Sequence, residues 1–221
     1  MLKTNLLNGK ILDIKMDKIL VIGTGGHARV VIDAAIGAGK KVLGLVDMDY
    51  QNQEESILEV RVLGGFEILS KYDKTKVSVI IAIGDNFKRK ECYLQLKKQG
   101  FMFAKVIHPT AVISKFATIG EGVFINAGVI INAEAMISNN CILNSGVIVE
   151  HEAKIGDYTH LAPGTRVGGR TVIEEGVFVG IGANVADYIK IGRNVTIGAG
   201  SVVVKDIPEN STVVGIGRIV K

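Results

Sequence analysis

ISKFATIGEGVFINAGVIINAEAMISNNCIL, residues 113–143, carries an aliphatic side chain at every sixth position: Ile113, Ile119, Ile125, Ile131, Ile137 and Leu143. The same step runs on without interruption through Val149, Ile155, Leu161, Val167, Ile173, Val179, Val185, Ile191, Ile197 and Val203. If about a third of residues are aliphatic, sixteen such positions in a row arise by chance roughly once in 10⁷–10⁸, so the hexad is a structural repeat. Four residues beyond each lies a small or β-branched side chain, from Ala117 and Val123 through Cys141 to Ser201 and Ile207. Gly and Asn occupy many of the sites between, where tight corners need a positive φ.

A hexad repeat implies a parallel β-helix. Each hexad is one side of a triangular coil, and its inward residue stacks on equivalents about 4.8 Å above and below. Three hexads close a coil, so residues about 18 apart share a place around the axis. On that count one outward face reads Phe124, Ile142, His160, Phe178, an apolar column expected to be an interface, with three-fold packing of prisms covering it. The other faces are mixed: Ile130, Ile148, Arg166, Asn184 and Met136, Lys154, Val172, Lys190.

The amino-terminal half has a different pattern. Lys18–Ile22 reads as a strand, Gly23–Ala28 as a turn and the stretch to Ala38 as a helix stopped by Gly39. Val42–Val46 and Val77–Ile83 read as further strands, and Lys88–Gln99 as a second helix. Strands separated by helices imply a parallel, Rossmann-like α/β sheet, whose ligands sit beyond the carboxyl ends of the strands, here Gly23–His27, Asp47–Asp49 and Gly84–Asn86. Gly23, Gly25 and Ala28 also fit a dinucleotide fingerprint with Asp47 as its acid. The α/β segment ends near Phe103, which leaves no second half for a nicotinamide. The expected division is an extension at 1–16, an α/β domain at 17–105 and the β-helix at 106–221.

Composition narrows the class. The chain has 221 residues, 48% hydrophobic, with 27 Gly, only 5% aromatics and a net charge of +4. That is enough for two cores and excludes disordered, collagen-like and coiled-coil classes. The mild charge suits small anionic ligands and does not call for a nucleic acid. Two cysteines cannot build a disulfide framework, no apolar run approaches a membrane span, and a cytoplasmic setting is expected. No Cys/His/Asp cluster has metal-ligand spacing. The basic runs Lys88-Arg89-Lys90 and Lys97-Lys98 read as a solvated helix face.

The stretch NSGVIVEHEAKIGDYTHLAPG, residues 144–164, in this domain order resembles the bacterial sugar O- and N-acetyltransferases. These include the sialic-acid O-acetyltransferases and the enzymes that acetylate UDP-linked bacillosamine precursors or GDP-perosamine. The resemblance covers Lys18 to Gly215 and implies a left-handed β-helix, a homotrimer and acetyl-CoA as cosubstrate. It implies that His151 is the general base tuned by Glu152, and that His160, Gly169, Gly180 and Gly198 contact acetyl-CoA. It also implies that Asn144 lies by the acceptor, while Gly25, Gly26, His27, Asp47, Met48 and Gly84 hold a nucleotide sugar. Met48 stands where bacillosamine-type enzymes can carry a second acid, and Gly215-Ile216-Gly217-Arg218 replaces the usual G-x-P-A tail.

Two residue-level arguments stand beside the resemblance. His151 and Gly169 are one coil apart, so a side-chain-free backbone beside the imidazole admits a thioester, and the Gly169 N–H could meet its oxyanion. Glu152 reaches His151 only if the corner breaks strand alternation; otherwise an ion pair with Arg170, one coil away, is its alternative partner. The expected reaction is N-acetylation of a 4-amino group on a nucleotide-linked sugar by direct transfer. O-acetylation of a sugar hydroxyl and a non-catalytic nucleotide-sugar-binding protein are the alternatives.

Overall fold

Lys18–Ile22 forms β1, buried from Ile19 onward, and a turn of glycines leads from it into helix α1 (Gly26–Gly37). β2 (Lys41–Val46), β3 (Ser56–Ile57), β4 (Val60–Gly64) and β5 (Ser78–Ile81) complete a five-stranded sheet in the order β3-β4-β2-β1-β5. Its pairings are parallel except for the β3–β4 hairpin. The computed structural model describes residues 17–51, 55–216 and 218–220, so the expected extension at 1–16 lies outside the described residues. Helix α2 (Asn86–Lys98) follows β5 and is capped by Asp85, whose Oδ1 accepts from the Lys88 amide at 2.9 Å. The hairpin and a 3-10 turn at Phe66–Lys71 fill a region that the sequence reading left unassigned. Their apolar runs are too short to show a period.

From Val106–Ile107 onward, two-residue strands recur at six-residue steps and gather into three sheets, the faces of a triangular prism. Registers pair residues one coil apart, such as Ile130 with Ile148, Met136 with Lys154 and Ile142 with His160. The inward aliphatics from Ile125 to Val203 are buried in one continuous core. Ile113 and Ile119 are only partly buried, because the lowest coil has neighbours on one side. Corners turn through positive φ at Glu134, Asn140, Glu152, Tyr158, Arg170 and Asn194. The step breaks after Val203: Thr196 pairs with Thr212, and a closing antiparallel pair joins Thr212–Val214 to Arg218–Val220. No helix among the described residues is long and apolar enough to cross a membrane.

The apolar column is an interface, but of another kind than expected. Phe124 and Ile142 are each 1% exposed because they share one buried cluster with Ala28, Val31, Ile32 and Ala35 of α1 in the same chain, with His27 of that helix edge-on to Phe124. Their face joins two halves of one molecule; only Phe178, higher in the column, is left 36% exposed. The small residues of α1 let the helix approach closely, and an apolar strip that long is satisfied from within the chain. Phe124→Ala should therefore destabilise the single chain by about 3–5 kcal/mol, the usual cost of removing a buried Phe. Urea unfolding at two protein concentrations checks this. A loss under 1 kcal/mol, or a loss only in oligomeric state, would contradict it.

Candidate active site

His151 lies on the corner between the six-stranded face (Ile148–Val149) and the five-stranded face (Lys154–Ile155). Glu152 sits at φ +58°, so strand alternation is broken there and two adjacent side chains point the same way. As a result His151 Nδ1 lies 3.1 Å from Glu152 Oε2, and Arg170 Nε donates to the same oxygen at 2.8 Å. Both partners considered for Glu152 are thus present together. Arg170, and then His151, hold the Glu152 carboxyl below the usual carboxylate range. An ionised carboxylate only accepts, so Nδ1 carries the proton in this hydrogen bond, and in the neutral ring Nε2 is the lone-pair acceptor. The His151 side chain is 56% exposed, open to an incoming substrate.

Gly169 lies under the imidazole. A Cβ there would sit 2.8 Å from both Cε1 and Nε2 of His151, so only glycine lets the ring rest in this position. Its amide does not have the role expected of it. The Gly169 N–H already donates to Asp187 Oδ1 at 2.6 Å and is not free to receive an oxyanion. The corner count found the glycine but could not see that a carboxylate one coil further on caps its amide.

A second group of residues gathers at the carboxyl ends of β1, β2 and β5. Gly25, Gly26, His27, Asp47, Met48 and Gly84 line one cavity of about 570 Å³, together with Lys88 and Glu91 from α2. A Cβ at Gly25, Gly26 or Gly84 would meet nothing within 4 Å, so these turns present bare backbone to open space. Asp47 accepts from the Thr24 hydroxyl with one oxygen and from the Asp49 amide at 2.9 Å with the other. Met48 is half exposed at the rim.

A second cavity, of about 490 Å³, shares Gly84 with the first and reaches His160, Phe178 and Thr196 on the eight-stranded face. His160 Nδ1 donates to the Gly84 carbonyl at 3.2 Å, and its ring stacks edge-on against Phe178. His27 stacks edge-on against Phe124 with its centroid 6.2 Å from that of His160. The Nε2 atoms of both histidines are buried without a partner. Asn144, Gly180 and Gly198 lie elsewhere, on the corner between the eight- and six-stranded faces. Asn144 Oδ1 accepts from Asn126 Nδ2 at 3.0 Å. A Cβ at Gly180 would meet Ala199 N at 2.6 Å, so close stacking of coils by itself accounts for that glycine.

The structure therefore brings together the turns at Gly25–His27, Asp47–Met48 and Gly84 with His160, and separately His151, Glu152 and Gly169. It does not bring the two groups together within one chain, because the His151 corner lies opposite the face that carries His160. Arg89, read from the sequence as solvated, is 1% exposed at the junction between the two halves. Lys90 and Lys97 of the same helix pair with Glu175 and Glu121 of the β-helix. A basic run gives no sign of such burial, since the β-helix groups that meet it, the carbonyls of Asn140 and Tyr158 and the carboxylates of Glu121 and Glu175, are distant in sequence.

Two family models match the chain: the PglD N-terminal domain at residues 18–96, and the bacterial transferase hexapeptide of six repeats at 134–169 and 170–205. The UDP-N-acetylbacillosamine N-acetyltransferase of Bacillus subtilis is 35% identical over 123 residues, 51% of this chain and 52% of that protein. The chain thus matches about half the length of that curated relative. PerB of Caulobacter crescentus, solved with CoA and GDP-perosamine, is 35% identical with a TM-score of 0.87, over 92% of this chain and 97% of PerB. The acetyltransferase domain of PglB from Neisseria gonorrhoeae, solved with acetyl coenzyme A, is 32% identical with a TM-score of 0.84, over 90% and 96%. The fold shared with these structures is a left-handed β-helix behind an α/β domain.

The histidine pair at the junction gives the fold an acid limit. Burial first, then the neighbouring His160 and Arg89, push His27 down to about 3; burial and Arg89 push His160 down to about 4. The folded chain holds both neutral, while the unfolded chain binds protons as pH falls below about 6.5, so stability falls with pH across that window. Each histidine costs about 1.4 kcal/mol per pH unit there. Urea midpoints should drop steadily from pH 6.5 to 5, above the range where carboxylates titrate. A flat profile over that interval would contradict the assignment.

Proposed function

The chain belongs to the bacterial hexapeptide-repeat sugar acetyltransferases that carry a PglD N-terminal domain, and on that premise we propose that it acetylates the 4-amino group of a nucleotide-linked amino-deoxy sugar. The observation that carries the chemistry is the imidazole of His151, held over Gly169 with Nδ1 bonded to Glu152 and Nε2 free. In this reading Nε2 removes a proton from the amine as its nitrogen attacks the thioester carbonyl of acetyl-CoA. The C–S bond breaks, and the proton passes from the imidazolium to the departing thiolate. Glu152, kept ionised by Arg170, holds the Nδ1 proton and stabilises the imidazolium as it forms. No acetyl-enzyme is invoked.

The nucleotide sugar is assigned to the cavity at Gly25, Gly26, His27, Asp47, Met48 and Gly84, where bare backbone at the start of α1 suits a diphosphate. The adjoining cavity at His160 is assigned to the pantetheine end of CoA. A neutral His160 whose Nδ1 is used by Gly84 has only an acceptor left on Nε2, which fits an amide N–H of that arm. Asn144, Gly180 and Gly198 are assigned to a neighbour's acceptor and CoA contacts, on a different corner. The reading also requires a homotrimer. A prism side of six residues keeps His151 more than about 10 Å from the sugar cavity of its own chain, and proton transfer needs about 3 Å. A neighbouring prism that offers its His151 corner to this cavity removes the discrepancy.

Three outcomes follow. His151→Ala should stay folded, since the residue is not an inward one, and should lose about 10²–10⁴ in kcat with either KM little changed. Gly26→Val, whose side chain meets no protein atom at its Cβ, should raise the KM for the sugar and leave that for acetyl-CoA alone. A His151→Ala enzyme with near wild-type kcat in assays with UDP- and GDP-linked 4-amino sugars would contradict the first, and equal effects of Gly26→Val on both KM values would contradict the second. If the site is shared between copies, mixing the two variants through unfolding and refolding should restore about a quarter of wild-type sites. No recovery on mixing would place the whole site in one chain.

A further inference from the structure

The coil-to-coil ladder leaves one backbone group over at each corner. The carbonyls of Asn140, Tyr158 and Gly176, each one coil above the last, receive no bond from the next coil among the described residues. They face α2, and its first turn takes up all three. Arg89 Nε donates to Asn140 O at 2.9 Å, Arg89 Nη2 to Tyr158 O at 2.6 Å, and Asn86 Nδ2 to Gly176 O at 2.9 Å. The rest of the guanidinium turns back to its own domain: Nη1 donates to Ile83 O and Gly84 O, both at 3.0 Å, and Nη2 to Asn86 Oδ1 at 2.8 Å. Five N–H groups meet five oxygens. None of those oxygens belongs to a carboxylate.

A cation buried without a counter-ion is costly unless every donor is met, so such a group tolerates very few arrangements of its surroundings. Burial lowers Arg89 to about 10, and it remains charged at neutral pH. The spacing of the helix matches that of the corner. From Lys97, paired with Glu121, back to Asn86 on Gly176, the helix rises about 16 Å. Three coil steps along the same corner rise about 14 Å. Helix and corner are therefore nearly commensurate, and a slip of part of a coil would leave the guanidinium between its acceptors. A whole-coil slip would offer it equivalent carbonyls but would bring Lys97 from Glu121 to Asn139 and Lys90 from Glu175 to Arg193. Gly84, whose carbonyl is shared by Arg89 and His160, is also the residue common to both cavities.

We propose that Arg89, seated by Asn86, is a positioning residue for acetyl transfer, holding the Gly84 turn at one height against the β-helix so that the two cavities meet in register. The inference rests on the assignment of the nucleotide sugar to the Gly84 cavity. Lysine keeps the charge but has three donors and no planar fork, so it cannot reach both the turn and two corner carbonyls. Arg89→Lys should lower kcat/KM for the nucleotide sugar by about 10- to 10²-fold, the scale of an ångström's misplacement. The KM for acetyl-CoA should stay within about two-fold, and circular dichroism should show a folded chain. Asn86→Ala, a milder change that frees Gly176 and one guanidinium contact and also trims the wall of the His160 cavity, should lower kcat/KM for the nucleotide sugar by less, with any change in the KM for acetyl-CoA read apart from it.

Hydrogen exchange supplies a readout independent of turnover. In both variants the amides of residues 84–87 should exchange faster while those of β5 stay as slow as in the wild type. If the wild-type chain acetylates no nucleotide sugar, the proposed function fails, and exchange alone then judges the clamp. Unchanged exchange at 84–87 would overturn the inference. So would wild-type kinetics in Arg89→Lys, or an equal loss for both substrates that tracks the folded fraction.

Discussion

Each turn of the β-helix is fixed by the ladder below it, in which Ile148 pairs with Arg166 and Lys154 with Val172. Because the backbone bonds leave no freedom of register, any group in one coil finds its equivalent in the next directly above it. Inside the prism this yields an aliphatic stack. On the corners it yields ladders of side chains: Asn126 to Asn144, Asn132 to Glu150, and Asp157 to the Asn139 amide. The same stacking lays His151 on Gly169 and lines up the carbonyls that α2 grips. The site and the domain junction are thus two consequences of one repeat.

The junction combines two kinds of contact. Apolar area supplies most of the attraction, through α1 on Phe124 and Ile142. Such contact is non-directional and would accept a sliding helix. Direction comes from the polar strip along α2, where Arg89, Asn86, Lys90 and Lys97 each answer a particular coil. The exposed ion pairs contribute little energy individually. The buried guanidinium is the part that sets orientation, because its misplacement would leave a charge unsolvated.

The β-helix was legible because its signal is periodic and uninterrupted, and the coil count alone put Gly169 beside His151 before any coordinate. The turn glycines were legible as strand ends. What was hidden depended on partners distant in sequence. Nothing local marks Asp187 as the acceptor for the Gly169 amide. Nothing in Lys88-Arg89-Lys90 separates the buried residue from its solvated neighbour, since all three suit a helix surface equally. The column at Phe124 was recognised as apolar and needing cover, but a pattern of outward residues cannot say whether the cover comes from the same chain or another. The short hairpin at Ser56–Gly64 carried too few residues for any period.

The covered face also bears on assembly. A three-fold ring is heterologous: each member presents one surface to the neighbour before it and a different one to the neighbour after. A triangular prism with one face occupied by its own α/β domain has two faces and the corner between them still free, and that corner carries His151. On those faces Val112 and Met136 are exposed, and Ile130 and Ile148 are only partly buried. In the proposed trimer the α/β domain therefore does two things at once. It covers one face of the prism, and it carries the cavity assigned to the sugar outward to where a neighbour's corner can reach it. In that proposal the separation of His151 from the cavity assigned to the sugar within one chain follows from the ring.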